Sequence, residues 1–485
     1  MKKQVFNPYL PLWEYIPDGE PYVFGDRLYV YGSHDKFNGE TYCMNDYVCW
    51  SAPVDDLADW RYEGVIYRKD QDPQRRENNY MYAPDIAVGP DGRYYLYYTL
   101  DMTGTMAVAV ADHPVGPFSY YGRIHYPDGS VLGLEAGDYY QFDPGVLVDD
   151  GRVWLYSGFA PGRGTDEEIS AMFGGRRLEG AWCIELERDM LTVKAEPVCI
   201  APRQNKAKGT SFEDHPFFEA SSIRKIGGKY YFVYSSSWSH ELCYAVSDYP
   251  NRDFRFGGTI ISNGDIGLED RTVRNPANYV GNNHGGMVEV NGQWYIFHHR
   301  QTNYHDHSRQ GCAEPIEILP DGSILQVEMT SCGLNGGDLE GRGRYSAAIA
   351  CQLYAAQGGA YVWQGDQLRA EHPAFTQAAE DGEQDADPYI TNLRDGAVVG
   401  FKYFDLSETK SIAIETRGSA GTVRIWNKIG DTLLAECGFD GRDAFSGCHC
   451  DLISGAAHSG LFFEFRTDGA MDFRAFTLSC EREDT

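Results

Sequence analysis

The chain lacks any long apolar run. No stretch of its 485 residues reaches the roughly 20 consecutive apolar residues that a membrane-spanning helix needs. The N-terminus, MKKQVFNPYLPLWEYIPDG, has two lysines but no apolar run of the length found in a signal peptide. We therefore expect a cytoplasmic protein with no membrane partner.

Positive charge is also scarce. The chain has 42 Lys and Arg against 71 Asp and Glu, which gives a formal net charge of −29. Nucleic acid is disfavoured as a partner, because a phosphate backbone is bound by Lys and Arg side chains that replace its counterions. An anionic membrane surface is disfavoured for the same reason. A neutral polysaccharide is indifferent to this charge, which mainly keeps the protein soluble.

Paired cysteine motifs are absent as well. The 12 Cys are scattered singly, apart from Cys448 and Cys450, and no CxxC pair occurs, so a zinc site is not expected. Reduced thiols in a chain of this length fit a cytosolic location. Cys49 and Cys243 lie in strand-like runs, where we expect them to be small core residues.

Sustained helical periodicity is missing, and a strand repeat takes its place. Five segments each have a turn pair ending at or near glycine, then a polar residue, then an aromatic-rich run typical of a buried strand. These segments are GDRLYVYGS, DGRYYLYYT, DGRVWLYSG, GGKYYFVYS and NGQWYIFHH. The intervals between them hold four short strands and their loops. Five such units predict an all-β chain with a five-bladed β-propeller, whose inner strands surround a central channel.

A second domain is predicted after the repeat. The repeat ends near Ile324, and the Gly-rich segment SCGLNGGDLEGRGR follows as a connector. Beyond it, short alternating runs such as VVGFKYFDL and LFFEFRT are typical of a β-sandwich. We predict a catalytic propeller over residues 1–325, a connector over 326–340 and a β-sandwich over 341–485.

Three carboxylates are singled out by their position in the repeat. Hydrolysis of a glycosidic bond needs an acid for the leaving oxygen and a base or nucleophile on the other side. Asp18, Asp143 and Glu219 each precede the turn pair of a repeat by a similar short distance, among apolar neighbours. The shared offset predicts that they occupy corresponding points of the propeller and face its channel. Most other acidic residues are expected to be surface charges.

These segments resemble glycoside hydrolase family 43. The resemblance is carried by NPYLP and PDGEP at Asp18, YAPDI at Asp85, FDP at Asp143, FFEAS at Glu219 and NNHGG at His284, in that order. It implies an inverting mechanism with Asp18 as general base and Glu219 as general acid. It also implies that Asp143 tunes the pKa and the orientation of the acid.

One departure from the family pattern leaves a second candidate base. In many members the base directly precedes proline, whereas Gly19 and Glu20 stand between Asp18 and Pro21 here. The choice therefore lies between Asp18 and Glu20, and we prefer Asp18.

The two roles require opposite protonation states. Glu219 must hold its proton at neutral pH, which desolvation by Phe217 and Phe218 and the nearby charge of Asp143 would favour. Asp18 must stay ionised so that it can take a proton from water. An inverting pair is held far enough apart for that water to fit between the carboxyls.

Further contacts with substrate are expected from Asp85, Phe142, Trp238, His284 and Arg309. The resemblance implies that His284 lies at the channel centre as the one protein ligand of a hydrated, structural calcium, and a hydrogen-bonded core histidine is the alternative. Asp85 either hydrogen-bonds the sugar or has a structural role, such as fixing the loop of Asp18. Arg309 is either close to the active centre or a surface cation, and Trp238 is expected to form a subsite wall. The chemistry itself requires no cofactor.

The C-terminal domain resembles a family 6 carbohydrate-binding module. The resemblance is carried by AEHPAFTQ, YITNLRDGAVVGFKYFDL, GTVRIW and MDFRAFTL. Where such modules have Trp and Tyr after an Asp-Gly pair, this chain has Val398, Val399 and Phe401. Arg369 stands where an acidic or amide calcium ligand is common. The domain therefore either binds carbohydrate or only braces the propeller and shapes one wall of its cleft.

The resemblance also implies a substrate class. FFEAS and NNHGG are most similar to the arabinofuranohydrolase branch of the family, which removes arabinose branches from xylan. We expect an α-L-arabinofuranosidase that also has β-xylosidase activity, because the two sugars present similar ring atoms, acting on plant-polysaccharide-derived oligosaccharides such as those of arabinoxylan. The alternatives are another furanosidase or galactan-active exo-glycosidase on the same scaffold, and a non-catalytic propeller lectin. Loops around the pocket set this specificity, so the sequence does not rank the sugars.

Overall fold

Strands make up most of the regular secondary structure. The computed structural model describes residues 3–77, 79–161 and 164–481, and the expectation of an all-β chain is confirmed. The two α-helices are short, α1 (Asp166–Met172) and α2 (Asp366–Glu371). Single 3₁₀ turns occupy Lys69–Gln71, Gln204–Lys206, Gly333–Asn335, Ala347–Ile349 and Val362–Gln364. No helix among the described residues is long and apolar enough to cross a membrane.

Five antiparallel sheets follow one another along the chain, each with its strands hydrogen-bonded in chain order. The first has β1 (Glu20–Phe24), β2 (Arg27–Tyr31), β3 (Tyr47–Pro53) and β4 (Arg61–Tyr67), and the second has β5 (Asp85–Val88), β6 (Tyr94–Thr99), β7 (Met106–Ala111) and β8 (Ser119–Arg123). The third has β9 (Gly145–Asp149), β10 (Arg152–Ser157), β11 (Gly180–Leu186) and β12 (Val198–Pro202), and the fourth has β13 (Phe217–Ile226), β14 (Lys229–Ser236), β15 (Leu242–Ser247) and β16 (Arg255–Ile261). The fifth has three strands, β17 (Met287–Val290), β18 (Gln293–Thr302) and β19 (His305–Ile316).

The repeated turn pairs form hairpins between the first two strands of the sheets. Asp150 and Gly151 alone connect β9 to β10, with φ of 50° and 74°. Positive φ at both positions is the geometry of the tightest hairpin turn. In the second sheet the loop is longer, because the last pair of the ladder is Val88 with Tyr94. The predicted turn is therefore tight in the third sheet and wider in the second.

Apolar clusters join each sheet to the next and the fifth sheet to the first. Val30 of the first sheet and Phe297 of the fifth share one of these clusters. The first strands of neighbouring sheets contact one another, β1 with β17, β5 with β9, and β9 with β13. The five sheets thus close into a circle with their first strands innermost. We call them and their connecting segments, residues 3–330, the ring.

Two six-stranded sheets form the C-terminal unit, residues 339–481. One contains β20 (Leu339–Glu340), β22 (Gln352–Tyr354), β25 (Val398–Asp405), β27 (Gly421–Trp426), β28 (Leu433–Phe439) and β30 (Ser459–Thr467). The other contains β21 (Gly343–Ser346), β23 (Ala374–Gln377), β24 (Pro388–Leu393), β26 (Ser411–Gly418), β29 (Arg442–Asp451) and β31 (Met471–Ser479). Phe401 and Phe463 of the first sheet pack against Phe473 and Phe476 of the second in one apolar core.

Buried polar contacts tie the C-terminal unit to the ring. Lys402 Nζ lies 3.2 Å from Asp265 Oδ2 and 2.6 Å from Glu328 Oε2. Arg300 of the ring donates hydrogen bonds to the carbonyl oxygens of Ala348 and Ala350 at 2.7 and 3.1 Å. Buried charges depend on such partners, since an unpaired one is costly. The two units are therefore packed together through specific contacts as well as through the connecting chain.

One disulfide, Cys437–Cys450, joins β28 to β29 and thereby links the two C-terminal sheets. Their Cα atoms are 5.7 Å apart, a separation that a disulfide spans. The expectation of reduced thiols is wrong for this pair. The other ten cysteines are free, and Cys49 and Cys243 are buried in apolar clusters as expected.

Candidate active site

One cavity, of about 340 Å³, collects side chains from segments of all five sheets. Its lining includes all three predicted carboxylates, Asp18, Asp143 and Glu219, together with the predicted Phe142, His284 and Arg309. The remaining lining residues are Tyr42, Tyr82, Ala83, Met102, Phe159, Phe218, His240, Asn282, Asn283, His299, Asp306 and Trp363. Residues that are far apart in the sequence are thus brought into one concave site, as the closed circle of sheets allows.

Strained backbone surrounds the three carboxylates. Asp18, just before β1, has φ of 57°, and Asp143, just before β9, has φ of 44°. Ala220, which follows Glu219 in β13, has φ of 69°. Positive φ is uncommon outside glycine and persists where the surrounding structure imposes it, often at functional sites. Asp18, Asp143 and Glu219 precede the turn pairs of their repeats by similar distances. Because β1, β9 and β13 are innermost strands, the three residues take equivalent positions at the cavity.

Asp18 lies between an arginine and a histidine. Its Oδ1 is 3.0 Å from Arg309 Nη1 and 3.2 Å from His299 Nδ1. Asp35 holds Arg309 in turn, at 2.8 Å from Nε and 3.0 Å from Nη2. Burial alone would raise the pKa of Asp18, but Arg309 and His299 hold that pKa below the ordinary range of an aspartate. Asp18 is therefore ionised, which is the state that a base for water requires.

The environment of Glu219 favours the protonated form of its carboxyl group, in contrast to that of Asp18. Burial, followed by the charges of Asp18 and Asp306, raises the pKa of Glu219 to about 8 against the opposing influence of Arg309. Glu219 therefore holds its proton at neutral pH. The sequence pointed to Asp143 as the nearby charge that raises this pKa. In the structure the charges of Asp18 and Asp306 also raise it, and Glu219 and Asp143 act on each other, since Glu219 raises the pKa of Asp143.

Asp143 fixes the backbone next to Glu219. Its Oδ2 accepts a hydrogen bond from Ala220 N at 3.0 Å and lies 3.7 Å from His284 Nδ1. Burial raises the pKa of Asp143 well above its ordinary value, and the charges of Glu219 and Asp18 raise it further. The cavity therefore combines one carboxylate held ionised with two carboxyl groups that favour their protonated form.

Glu20, the alternative base, does not line the cavity. It is fully buried, and its Oε2 pairs with Arg224 Nη2 at 2.8 Å. Burial raises the pKa of Glu20 in spite of Arg224, so this carboxyl is a weaker candidate for an ionised base. The geometry favours Asp18.

His284 Nε2 and Glu20 Oε1 are among the buried polar atoms that have no hydrogen-bond partner within the described part of the chain. They lie 3.9 Å apart. Burial lowers the pKa of His284 to about 4, so its ring is neutral and one nitrogen carries a free lone pair. A neutral imidazole nitrogen beside a carboxylate oxygen fits a hydrated divalent cation.

Asp85 and Trp238 lie outside the cavity. Asp85 is fully buried, and its two oxygens accept hydrogen bonds from Tyr22 Oη at 2.7 Å and from Val146 N at 2.6 Å. Of the two roles expected for Asp85, this geometry favours the structural one, because it ties β1 to β9 through β5. Trp238 is 55% exposed on the turn between β14 and β15.

Sequence reasoning missed several of the lining residues. His299 is the last residue of the fifth repeat segment, NGQWYIFHH, so its position in the repeat was a usable signal. Asp306 lies at the start of β19 and carried no such signal. Trp363 comes from the C-terminal unit, and its place at the cavity depends on how the two units pack, which no local pattern encodes.

Comparison with known proteins agrees with this arrangement. Residues 15–324 match the sequence family described as Glycosyl hydrolases family 43. Over 482 residues the chain is 48% identical to a xylosidase/arabinosidase of Thermoclostridium stercorarium, covering 99% of each chain.

Two solved structures match nearly the whole chain. A family 43 arabinoxylan arabinofuranohydrolase from Bacillus subtilis, in complex with cellotetraose, has a TM-score of 0.52 at 20% identity and covers 98% of this chain and 97% of its own. An exo-β-1,3-galactanase from Phanerochaete chrysosporium, with galactose, has a TM-score of 0.51 at 13% identity and covers 98% of each chain. At these identities the two structures support the fold of both units and leave the sugar open.

Proposed function

Because the chain belongs to glycosyl hydrolase family 43, we propose that it releases terminal or branch pentoses from arabinoxylan and its oligosaccharides, as an α-L-arabinofuranosidase with β-xylosidase activity. The observation that carries this proposal is a single cavity holding an ionised Asp18 and a protonated Glu219. Inverting hydrolysis requires such a base and acid at one glycosidic bond. The Thermoclostridium stercorarium relative supports the choice of pentoses.

The two carboxyl groups act on opposite sides of the bond. Glu219 donates its proton to the glycosidic oxygen as that oxygen leaves the anomeric carbon. Asp18 accepts a proton from the water that attacks the same carbon from the other face. The new bond forms opposite the broken one, so the configuration inverts. The cycle ends with Glu219 ionised and Asp18 protonated, and exchange with solvent restores both states. These steps need no cofactor.

Neighbouring residues position this pair and the sugar. Arg309 holds the Asp18 carboxylate in place, at 3.0 Å. Asp143 fixes the peptide that follows Glu219, which orients the acid. Phe142 lines the cavity with its ring centroid 5.2 Å from that of Phe159, and such aromatic faces can pack against the apolar C–H face of a sugar ring.

A structural calcium forms the second part of this proposal. His284 Nε2 would hold the ion, and Glu20 Oε1 would accept hydrogen bonds from its waters. The bound ion would supply positive charge beside the buried carboxylates. Metal analysis of the purified protein tests this part. We expect bound calcium that is lost in His284→Leu, and absence of calcium from the unchanged protein would count against it.

The identity and the bounds of the domains are also part of this proposal. We take the ring to be a five-bladed β-propeller within residues 1–325, followed by a connector over 326–340 and a β-sandwich over 341–485 that resembles a family 6 carbohydrate-binding module. The closed circle of five sheets and the two packed sheets support it. Val399 and Phe401 are fully buried in the C-terminal core, so these positions cannot contact a polysaccharide. The C-terminal unit therefore serves to brace the ring and shape its cleft.

A panel of nitrophenyl glycosides tests the proposed activity. We expect hydrolysis of the α-L-arabinofuranoside and the β-D-xylopyranoside, and arabinose or xylose release from arabinoxylan oligosaccharides. Hydrolysis of galactosides alone would favour a galactan-active enzyme. Binding of a sugar with no hydrolysis across the panel would favour a lectin. Asp18→Asn, purified in the same way, controls for contaminating glycosidases.

A further inference from the structure

One wall of the cavity comes from the C-terminal unit. Trp363 lies in the 3₁₀ turn Val362–Gln364 and lines the cavity that holds the three carboxylates. Its side chain is large and apolar, yet the residue is 57% exposed. An exposed aromatic residue at the edge of a cavity is a candidate binding surface. The hydrolytic steps described above make no use of it.

Backbone hydrogen bonds fix Trp363 relative to the ring. Val280 N donates to Ala360 O at 2.9 Å, and Val362 N donates to Val280 O at 3.1 Å. The Trp363 ring also packs on Tyr361, with the two centroids 4.8 Å apart. Val280 lies just before the ring segment that lines the cavity. The position of Trp363 is therefore set by the same segment that shapes the site.

Trp363 lies on the side of the cavity where Glu219 lies. The centroid of its ring is 5.7 Å from that of His240, and His240 is 4.8 Å from Phe218, the neighbour of Glu219. Burial lowers the pKa of His240 to about 4, so its ring is uncharged at neutral pH. A general acid protonates the oxygen of the leaving group, so the leaving group lies on the acid's side of the bond.

We propose that Trp363 and His240 form the subsite for the leaving-group sugar, so that the C-terminal unit completes the active site. The occupant is the neutral xylose-type pyranose that remains after cleavage. One face of that ring is made of C–H groups, which pack favourably on an aromatic surface. This inference rests on the proposed function, because the role of Glu219 defines the leaving-group side.

The test compares substrates that release the same sugar and differ only in the leaving group. Xylobiose and β-xylosyl fluoride form one pair, and arabinofuranosylated xylobiose and α-arabinofuranosyl azide form the other. The pair that the unchanged enzyme hydrolyses is used. Fluoride and azide are too small to fill the subsite.

Trp363→Ala is expected to lower kcat/KM for the oligosaccharide about tenfold. It should leave the small-leaving-group substrate unchanged, and Trp363→Phe should recover most of the loss.

Trp238 offers a matched control. It is 55% exposed, close to the 57% of Trp363, but it does not line the cavity. Trp238→Ala should therefore change neither rate. An equal loss on both substrates in Trp363→Ala, no loss on either, or a loss of the same size in Trp238→Ala would overturn the subsite while leaving the proposed function intact. If the unchanged enzyme hydrolyses neither pair, the proposed function fails, and the subsite fails with it.

Discussion

The ring and the C-terminal unit differ in how many charged side chains they bury. Among the described residues of the ring, the buried side chains of Asp, Glu, Lys and Arg are Glu14, Asp18, Glu20, Asp35, Asp72, Asp85, Arg123, Asp143, Arg203, Glu241, Asp265, Arg300, Arg309 and Glu314. In the described part of the C-terminal unit, Lys402 is the one buried side chain of Asp, Glu, Lys or Arg, and its partners lie in the ring. The core of that unit is otherwise apolar and rich in phenylalanine.

This difference shows which unit carries the free-energy cost of burying charged side chains. A buried charge destabilises a fold unless a partner compensates it. Arg123 and Asp72, 3.0 Å apart, are compensated in this way. In the cavity, Asp18 is paired with Arg309, whereas burial raises the pKa values of Asp143 and Glu219. The ring, which supplies the carboxyl groups of the cavity, buries carboxyl groups in unequal environments, and the described part of the C-terminal unit buries none.

The largest effect is expected from removing the ionised carboxylate of the cavity. Asp18→Asn keeps the shape of the side chain but cannot accept a proton from water, so kcat should fall roughly 10²–10⁴-fold. Steady-state kinetics on the best substrate measures this, and circular dichroism checks the fold. Glu20→Gln is the comparison variant. Its carboxyl pairs with Arg224 outside the cavity and belongs to the proposed calcium site, so it should lose much less activity than Asp18→Asn. Loss of nearly all activity in Glu20→Gln, together with an active Asp18→Asn, would assign the base to Glu20.

The next effect concerns stability at the contact between the units. Lys402→Met leaves Asp265 buried without its cation, and breaking such a pair costs about 3–5 kcal/mol in free energy of unfolding. Urea denaturation followed by tryptophan fluorescence measures the change. The double variant Lys402→Met with Asp265→Asn should recover part of the loss, because the buried charge of Asp265 is gone and Glu328, the other partner of Lys402, is one-third exposed.

An exposed pair within the C-terminal unit provides the control for Lys402. Arg424 and Glu436 are 45% and 46% exposed and lie 3.0 Å apart. Arg424→Met should change the free energy of unfolding by about 0–1 kcal/mol, as is usual for surface pairs. Similar small losses in Lys402→Met and Arg424→Met would contradict the distinction between buried and exposed charge.

The smallest effect concerns pH. Glu219 works in its protonated form, so activity should fall as pH rises through about 8, while Asp18, with its lowered pKa, stays ionised on the acid side. Asp306→Asn removes a negative charge that raises the pKa of Glu219, so the alkaline limb of kcat/KM should move to lower pH. Glu436→Gln, in the C-terminal unit, should leave the limb in place. An alkaline limb that does not shift in Asp306→Asn, or that shifts to higher pH, would argue against this electrostatic link.

The sequence revealed the features that are local and repeated. Turn pairs followed by aromatic runs predicted strands β2, β6, β10, β14 and β18, because hairpin chemistry and strand composition are local properties. The offsets of Asp18, Asp143 and Glu219 predicted their convergence, since innermost strands begin at equivalent points. For these three carboxylates, position in a repeat pointed to the cavity.

The rest depended on packing between distant segments. Asp85 occupies a similar position before its repeat, but hydrogen bonds to Tyr22 and Val146 hold its carboxylate away from the cavity. Trp363 reaches the cavity only because the C-terminal unit docks on the ring. The Cys437–Cys450 disulfide depends on two sheets meeting face to face, which the spacing of the cysteines does not encode.

The most direct test of the acid and base assignments is Glu219→Ala, measured on two kinds of leaving group. The sugar alcohol released from a natural oligosaccharide is a poor leaving group and needs a proton from Glu219. An aryl glycoside with an acidic phenol needs little protonation. We expect hydrolysis of arabinoxylan oligosaccharides to be severely impaired and hydrolysis of the aryl glycoside to suffer much less. Equal losses on the two substrates would contradict the role of Glu219 as the acid.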